Sequence, residues 1–366
     1  MSQLRSVDPT FLRASADLLN QGRALPSRWY ADPAIFEVEL ATVFAHGWTY
    51  ACHESVVANP GDYVSGSSAR TPYTVVRGTD EVLRAFLNVC RHRLYPVTVG
   101  CGSARQLRCQ YHGWTFDLEG QLSRVPRSIE VDGEQAPNPF CRDDYGLVEL
   151  GLEQWGPLVF VNPDRDAAPL ADQLGFVATL AAERKVDLAV APVERDETVV
   201  ECNWKTFMDN VIECYHCPTI HPQLARDYNT NDVEMDDRPK AYAHVLRPFK
   251  DGCGLPDAET YYVWPNFFMS APGSEGMLTL RADPVDVDHT RVITEYHIPA
   301  SAAEETVQRR LAGSREIMQQ DIDVAVAVQL GHRASISPPG CLLPRAEMPV
   351  GIFARTLLDE VGERAR

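Results

Sequence analysis

Residues 90 to 112 read CRHRLYPVTVGCGSARQLRCQYH, which sets Cys90-x-His92 and Cys109-x2-His112 sixteen residues apart. A chain with this spacing must fold two short loops against each other so that four donors converge. Two thiols with two imidazoles suit either zinc or a [2Fe-2S] cluster. The one-residue gap in Cys90-x-His92 is tighter than zinc-finger spacing, and no helix is legible between the pairs. The cluster is therefore the favoured occupant and zinc the alternative. Cys101 lies between the pairs, fits neither, and reads as a free thiol.

Such loops need a β frame, and the flanks supply one. YTVVRGTD, RAFLNVC, QLRCQYHGWTFDLEGQL and GPLVFVN are short β-rich runs broken by turn residues, which predicts an all-β domain over 46–162. Ahead of it, PAIFEVELATVFAHGW has apolar residues at helical spacing, so residues 1–45 are expected to form a helical segment packing on the later domain. Residues 163–366 then mix the two periods. A helical stretch at about 169–185 precedes VERDETVVECNW, which passes from alternation into a helical period around Trp204. Strands follow over 240–299, with TRVITEYHIP the clearest, and then a long helix ending near Gly331. Ser301-Ala-Ala-Glu304 has the capping-box pattern ahead of that helix. The expected class is α+β, an all-β domain plus an antiparallel sheet flanked by helices.

A second cluster, ECYHCPTIHP over 213–222, holds Glu213, Cys214, His216, Cys217 and His221. A zinc knuckle from the two cysteines and two histidines would crowd four ligands into eight residues, where helical neighbours diverge by about 100° each. His216 and His221 instead suit one metal approached from a helix end, with a distant carboxylate completing a two-histidine, one-carboxylate face. Glu213, three residues before His216, is expected on the same helix face as an acceptor for an imidazole N–H, with a solvated surface glutamate as the plain alternative. NWKTFMDN over 203–210 reads as the helix leading into this site, and Asn210 either touches the site or lies on the helix surface.

Composition limits the remaining options. At 366 residues two cores are expected. A net charge of -17 argues against nucleic acid as a partner. No run of 18 apolar residues is present, so no membrane span is expected, and MSQLRSVDPTFLRAS lacks a secretory apolar stretch, which points to the cytoplasm. Ten cysteines in such a chain point away from a disulfide framework and toward metal or redox chemistry. Cys52, Cys141, Cys202, Cys253 and Cys341 are scattered and read as small buried hydrophobes. No GxGxxG opens a helix after a strand, so flavin or nicotinamide chemistry is expected on a separate protein.

NVCRHR followed by CQYHGWTFDLEGQL is similar to the Rieske domain of ring-hydroxylating, non-haem iron oxygenases. The similarity runs from LPSRWYADPAIFEVELATVFAHGW through WGPLVFVN and WPNFFMS to Glu347. It implies that 46–162 is the Rieske domain, with Cys90 and Cys109 on one iron of the [2Fe-2S] cluster and His92 and His112 on the other. Leu94-Tyr95 departs from the small residues the family carries there. In 163–366 it implies a mononuclear Fe(II) held by His216 and His221, with Asp321 in REIMQQDIDVAVAVQLG as third ligand. Asp323 ranks second because it points to another helix face. In the family the carboxylate at Glu213 joins a Rieske histidine of one subunit to an iron-binding histidine of the next. Most members have aspartate there, and glutamate resembles the carnitine-type monooxygenases.

The implied activity is that of a Rieske-type oxygenase component, mono- or dioxygenase. It would use dioxygen, and electrons relayed from NAD(P)H by a separate reductase with or without a ferredoxin, to hydroxylate or oxidatively demethylate a small organic substrate. The implied assembly is a head-to-tail homotrimer. Tyr261, Tyr262, Trp264, Phe267, Phe268 and Met269 could line the substrate pocket, though each also reads as sheet core. Lining aromatics would stack on an aromatic or polycyclic substrate or hold a quaternary ammonium such as a betaine or carnitine. A Rieske electron carrier without oxygenase activity is the alternative of a different class. The set Glu213, His216, His221 and Asp321 speaks against it.

Overall fold

Two Asp-Pro steps start the first helices. Asp8 accepts from the Thr10 amide at 2.8 Å ahead of α1 (Pro9–Asn20), and Asp32 accepts from the Ala34 amide at 2.8 Å ahead of α3 (Pro33–Glu39). In both helices the proline occupies the first turn, where its missing N–H costs nothing. The four-residue α2 (Arg28–Ala31) lies between them, and α3 runs into a π-helical turn over Leu40–Phe44. The computed structural model describes residues 7–126, 140–238, 240–248, 258–272 and 276–364. The chain divides into two units, one of residues 45–168 and one of 1–44 with 169–366.

The unit 45–168 is built from short strands, β1 (Thr49–His53), β2 (Asp62–Ser68), β3 (Thr71–Arg77), β4 (Leu83–Leu87), β5 (Cys101–Ser103), β6 (Leu107–Arg108), β7 (Thr115–Phe116), β8 (Leu122–Arg124), β9 (Glu149–Trp155) and β10 (Leu158–Asn162). Seven form an antiparallel sheet in the order β1-β10-β9-β4-β3-β2-β5, and β6-β7-β8 form a small sheet of their own. The two Cys-x-His segments are the β4–β5 and β6–β7 connections. One apolar cluster, including Phe86, Leu107, Trp114, Phe116 and Leu122, packs beneath both loops together with Cys90 and Cys109. The all-β expectation for this part of the chain holds.

In the other unit α4 (Leu170–Leu174) and α5 (Phe176–Glu183) precede β11 (Pro192–Val200). Then come α6 (Trp204–Val211), α7 (Cys217–Ile220) and α8 (Pro222–Asp227). The strands β12 (Tyr228–Arg238), β13 (Ala241–Pro248), β14 (Ala258–Val263), β15 (Phe267–Pro272), β16 (Met277–Asp286) and β17 (His289–His297) follow, and α9 (Glu304–Ala334) and α10 (Met348–Arg364) close the chain. The strands form one antiparallel sheet, β11-β17-β16-β15-β14-β13-β12, so β12 to β17 is a meander and β11 returns beside β17. Phe44, Trp204, Trp264 and Phe353 pack edge-on or tilted in its core, with centroids 5.0–5.5 Å apart along Phe44–Trp204–Phe353–Trp264. A Lys205–Glu39 pair is buried beside them, Nζ to Oε2 at 2.7 Å with both side chains fully enclosed. The α+β expectation holds.

Two local expectations do not. The Ser301–Glu304 capping box is absent: Ala303 is the N-cap of α9, and no side chain caps it. A turn closed by the Ala302 amide on the Pro299 carbonyl at 2.9 Å takes up Ser301. The first turn of α9 instead begins with Glu304 and Glu305, whose charge favours the helix N-terminus. The cysteines also divide differently than expected. Cys52 and Cys202 are buried, but Cys141 and Cys341 are exposed, as is Cys101. Cys253 lies outside the described residues.

Candidate metal centres

The first centre is made by two loops with the same backbone pattern. The Leu94 amide donates to the Cys90 carbonyl at 3.0 Å, and the Cys90 amide to the Tyr95 carbonyl at 2.8 Å. At the same offsets the Gly113 amide donates to Cys109 at 3.0 Å, and the Cys109 amide to Trp114 at 2.9 Å. Both turns need a left-handed residue at the fourth position after the cysteine. Gly113 meets this with φ 74°, and Leu94 meets it with φ 58°. The side-chain departure noted in the sequence is therefore also a conformational one, since a left-handed leucine is strained by about 1–2 kcal/mol.

The donors point as a mixed thiolate–imidazole centre requires. Cys90 and Cys109 are 1% and 2% exposed, while His92 and His112 reach the surface with ring centroids 4.6 Å apart. His92 stacks on Trp114 at 4.9 Å. Burial pushes the Cys90 thiol up to about 11, and the adjacent Cys109 adds to this. Burial and the neighbouring His112 hold His92 below its ordinary value, which keeps a lone pair available. Two buried soft donors facing two imidazoles fit a [2Fe-2S] cluster.

The second centre lies where α6 ends. Asn203 caps α6, accepting from the Lys205 amide at 3.1 Å. The helix stops at Val211, so Glu213 is not on a helix with His216, contrary to expectation. The two residues still meet, because the 212–216 turn brings His216 Nδ1 to 2.6 Å from Glu213 Oε1. The same carboxylate accepts from the Tyr215 amide. His216 begins α7 and His221 separates α7 from α8, whose first residue is Pro222.

Asp321 arrives from α9 and is 7% exposed. His221 Nε2 stands 3.1 Å from His216 Nε2 and 3.1 Å from Asp321 Oδ1, and His216 Nε2 is 3.4 Å from that oxygen. The outward nitrogens fix the tautomers. His216 Nδ1–H donates to Glu213, and His221 Nδ1–H donates to Gln320 Oε1 at 2.8 Å, which leaves both Nε2 lone pairs aimed inward. Two imidazole lone pairs and a carboxylate oxygen within 3.4 Å would repel one another without a cation among them, so this donor set fits a metal. Asp323 is exposed and accepts from Gln319 at 2.8 Å, away from this convergence.

Burial alone would lower His216, but the Asp321 and Glu213 carboxylates outweigh it and hold the imidazole up at about 9, so without a metal a proton occupies the inward nitrogen, and a bound metal would displace it. Burial likewise works to raise Asp321, and the two imidazoles override it, keeping the carboxyl below the usual range. Asn210 Nδ2 donates to Asp321 Oδ1 at 2.7 Å, which decides between its two sequence readings. Gln320 carried no signal in the sequence, since one glutamine beside an aspartate on a helix is unremarkable. Gln329 was not singled out in the sequence either, yet its Oε1 accepts from Thr206 Oγ1 at 2.8 Å and from the Asn203 amide at 3.1 Å, fixing α9 against α6.

The three donors border a cavity of about 460 Å³ with mostly apolar walls. Of the six residues expected there, Phe268 alone contributes to its lining. Tyr261, Phe267 and Met269 alternate to the opposite sheet face and are fully buried. Tyr262 lies farther along, under Phe353 of α10, and Trp264 packs against the same phenylalanine. Tyr296, Met318 and Arg310 line the cavity without having been singled out in the sequence.

Cys214 and Cys217 are joined in a disulfide, which removes the zinc-knuckle alternative, while a single bond across two residues is not a disulfide framework.

Comparisons with known proteins agree with this geometry. The family described as Ring hydroxylating alpha subunit (catalytic domain) matches residues 187–363, and the Rieske [2Fe-2S] domain matches 47–133. The carnitine monooxygenase oxygenase subunit of Acinetobacter baumannii is 30% identical over 84% of this chain and 85% of its own. The chloroplastic choline monooxygenase of Atriplex hortensis is 27% identical over 89% of this chain and 74% of its own. A crystal structure of the quaternary ammonium Rieske monooxygenase CntA with its substrate L-carnitine superposes with a TM-score of 0.84 at 25% identity, covering 97% of this chain and 99% of that one. A catalytic domain beside the Rieske domain removes the electron-carrier alternative.

Proposed function

This chain belongs to the Rieske non-haem iron oxygenases, as an oxidoreductase that uses dioxygen on a small organic substrate, and we propose that its substrate is a quaternary ammonium compound oxidised by N-demethylation or C–N cleavage. The observation that carries the proposal is the convergence of His216, His221 and Asp321 on the border of an apolar cavity in a chain 30% identical to carnitine monooxygenase. Phe268 and Tyr296 bring aromatic side chains to the cavity, where a ring could face a cation, and Arg310 of α9 brings a positive charge suited to a substrate carboxylate. The volume suits a molecule of betaine size.

On this reading His216, His221 and Asp321 hold the mononuclear iron, and Cys90, Cys109, His92 and His112 hold the [2Fe-2S] cluster. When bound, a ferrous ion on such a three-ligand face supplies open positions for dioxygen beside the substrate. The protein's part is positional. Glu213 and Gln320 hold the Nδ1 protons of the two imidazoles, Asn210 holds the carboxylate, and the apolar walls keep water from the reacting face.

Family members need a reductase as well as substrate and dioxygen. The proposal assigns the electrons to NAD(P)H through that reductase, with or without a ferredoxin, in the cytoplasm. No helix among the described residues is long and apolar enough to cross a membrane. A head-to-tail homotrimer is part of the same reading, with Glu213 joining His216 to a cluster histidine of the neighbouring subunit. The surface position of His92 and His112 supports it.

The experiment supplies reductase, NADH and oxygen, and measures oxygen uptake with product mass spectra for L-carnitine, choline, glycine betaine and naphthalene. Oxygen uptake coupled to a dealkylated or cleaved ammonium product is expected. Coupled oxidation of naphthalene, with none of the three ammonium compounds turned over, overturns the assignment.

A further inference from the structure

His216 lies between the two cysteines of the disulfide, and both sulfurs belong to the cavity that holds the metal donors. Cys214 and Cys217 are buried, packed against Leu224 and Tyr228. Cys217 Sγ stands 4.0 Å from His216 Nε2, the same nitrogen that faces His221 and Asp321. Cys217, His216 and His221 together present three donor atoms within 4.8 Å of one another. Ligands sharing one tetrahedral ion at bonds of about 2.1–2.3 Å stand roughly 3.4–3.8 Å apart. The Cys217 sulfur is thus a few tenths of an ångström from that range relative to His216, and at most about an ångström from it relative to His221. Its bond to Cys214 withholds it, because the thiolate is the ligand and a disulfide sulfur carries no charge to offer. A disulfide across two intervening residues also removes little loop entropy, so stability alone does not account for it.

We infer that Cys214 and Cys217 form a thiol–disulfide latch on the mononuclear metal site, keeping Cys217 out of the coordination shell when oxidised and delivering it as a fourth, soft ligand when reduced. The inference rests on reading His216, His221 and Asp321 as that site. The reductant is a small dithiol able to enter the cavity. One of its thiolates attacks a protein sulfur and breaks the S–S bond, and its second thiol resolves the mixed disulfide. The dithiol leaves as its own cyclic disulfide, and its two electrons and two protons leave both cysteines as thiols. Cys217 gives up its proton on binding the metal. A thiolate beside two imidazoles closes a position that substrate oxidation needs open, and shifts the site's preference from iron toward zinc.

The test uses full-length protein with its Rieske cluster intact and cobalt(II) exchanged into the mononuclear site, read by X-ray absorption at the cobalt edge. Reductant is removed before cobalt is added. Oxidised wild type should show only nitrogen and oxygen neighbours. Wild type pretreated with dithiothreitol should gain one sulfur at about 2.3 Å. Cys214→Ser should show that sulfur without reductant, and Cys217→Ser in neither state. A sulfur-free shell in both reduced wild type and Cys214→Ser overturns the latch while leaving the metal site standing. Cobalt bound equally well by His216→Ala overturns the metal-site reading, and the latch with it.

Discussion

Asn210 and Asp321 lie 111 residues apart and share a hydrogen bond of 2.7 Å, so the carboxylate that α9 contributes is held in place by α6. The same helix pair is joined again by Thr206 and Gln329 at 2.8 Å. If Asp321 holds the proposed iron, a carboxylate oriented this way should depend on its partner nearly as much as on itself.

Asn210→Leu removes the donor and leaves Asp321 free to turn. Mononuclear iron affinity should fall roughly 10–100-fold while the Rieske cluster is untouched. Iron per chain, measured beside the cluster's visible absorption, checks this. An unchanged mononuclear iron content would show that Asn210 does not position Asp321.

Asp321→Ala should lose the mononuclear iron and keep about two irons per chain in the cluster. Asp323→Ala, whose carboxylate faces Gln319 at the surface, should retain all of it. Metal analysis of the two variants separates the candidates, and loss in the second with retention in the first would reverse the assignment.

Leu94 occupies the left-handed position that Gly113 fills in the sister loop. Leu94→Gly should relieve strain and stabilise the cluster loop by about 1 kcal/mol. Slower cluster bleaching under chelator, followed by absorption, is the expected readout. Faster bleaching would mean that the leucine side chain contributes more than its backbone costs.

Lys205 and Glu39 are both fully buried, and Lys205 also donates to Asn203 Oδ1 at 2.7 Å. Lys205→Met leaves Glu39 charged or forces it to take up a proton, at a cost of about 3–5 kcal/mol. Lys205→Met combined with Glu39→Gln should recover most of it. Urea unfolding of the single and double variants measures both numbers.

Asp209 is half-buried, with Tyr30 O–H donating to Oδ2 at 2.6 Å and an enclosed Oδ1 that has no hydrogen-bond partner. Burial, with Glu213 and Glu347 adding, pushes its carboxyl up to about 7. An unfolded aspartate titrates near ~3.9, so between about pH 4 and 7 the folded state keeps a proton that the unfolded state has lost. Stability from this group is therefore present at low pH and lost as pH rises through that window. Asp209→Asn keeps an acceptor for Tyr30 and cannot ionise. Its advantage over wild type should grow by about 2.7 kcal/mol between pH 5 and pH 8. Urea midpoints at the two pH values test the sign, and a constant difference would exclude Asp209 as the source.

The cluster motif was legible because its four donors fall within 23 residues and their spacing has few chemical uses. His216 and His221, which converge with Asp321, stood out for the same reason. Glu213 was placed correctly beside His216 but on the wrong element, since a 212–216 turn and a helix face both bring residues three apart together. Which of the aromatics at 261–269 line the cavity and which are sheet core was left open, because strand alternation and the cover from α10 decide it, and neither is encoded in composition.

The sequence by itself carried the family, because NVCRHR and CQYHGWTFDLEGQL resemble its Rieske domain, and the α+β class, which rests on local periodicity. Only the tertiary structure decided what surrounds the metal donors. Gln320, Asn210 and the Cys214–Cys217 bond act through contacts whose chemistry is ordinary until distant elements meet. Hydrogen bonds and sulfur contacts depend on tenths of an ångström, and that precision comes from packing α6 against α9, not from any stretch of either.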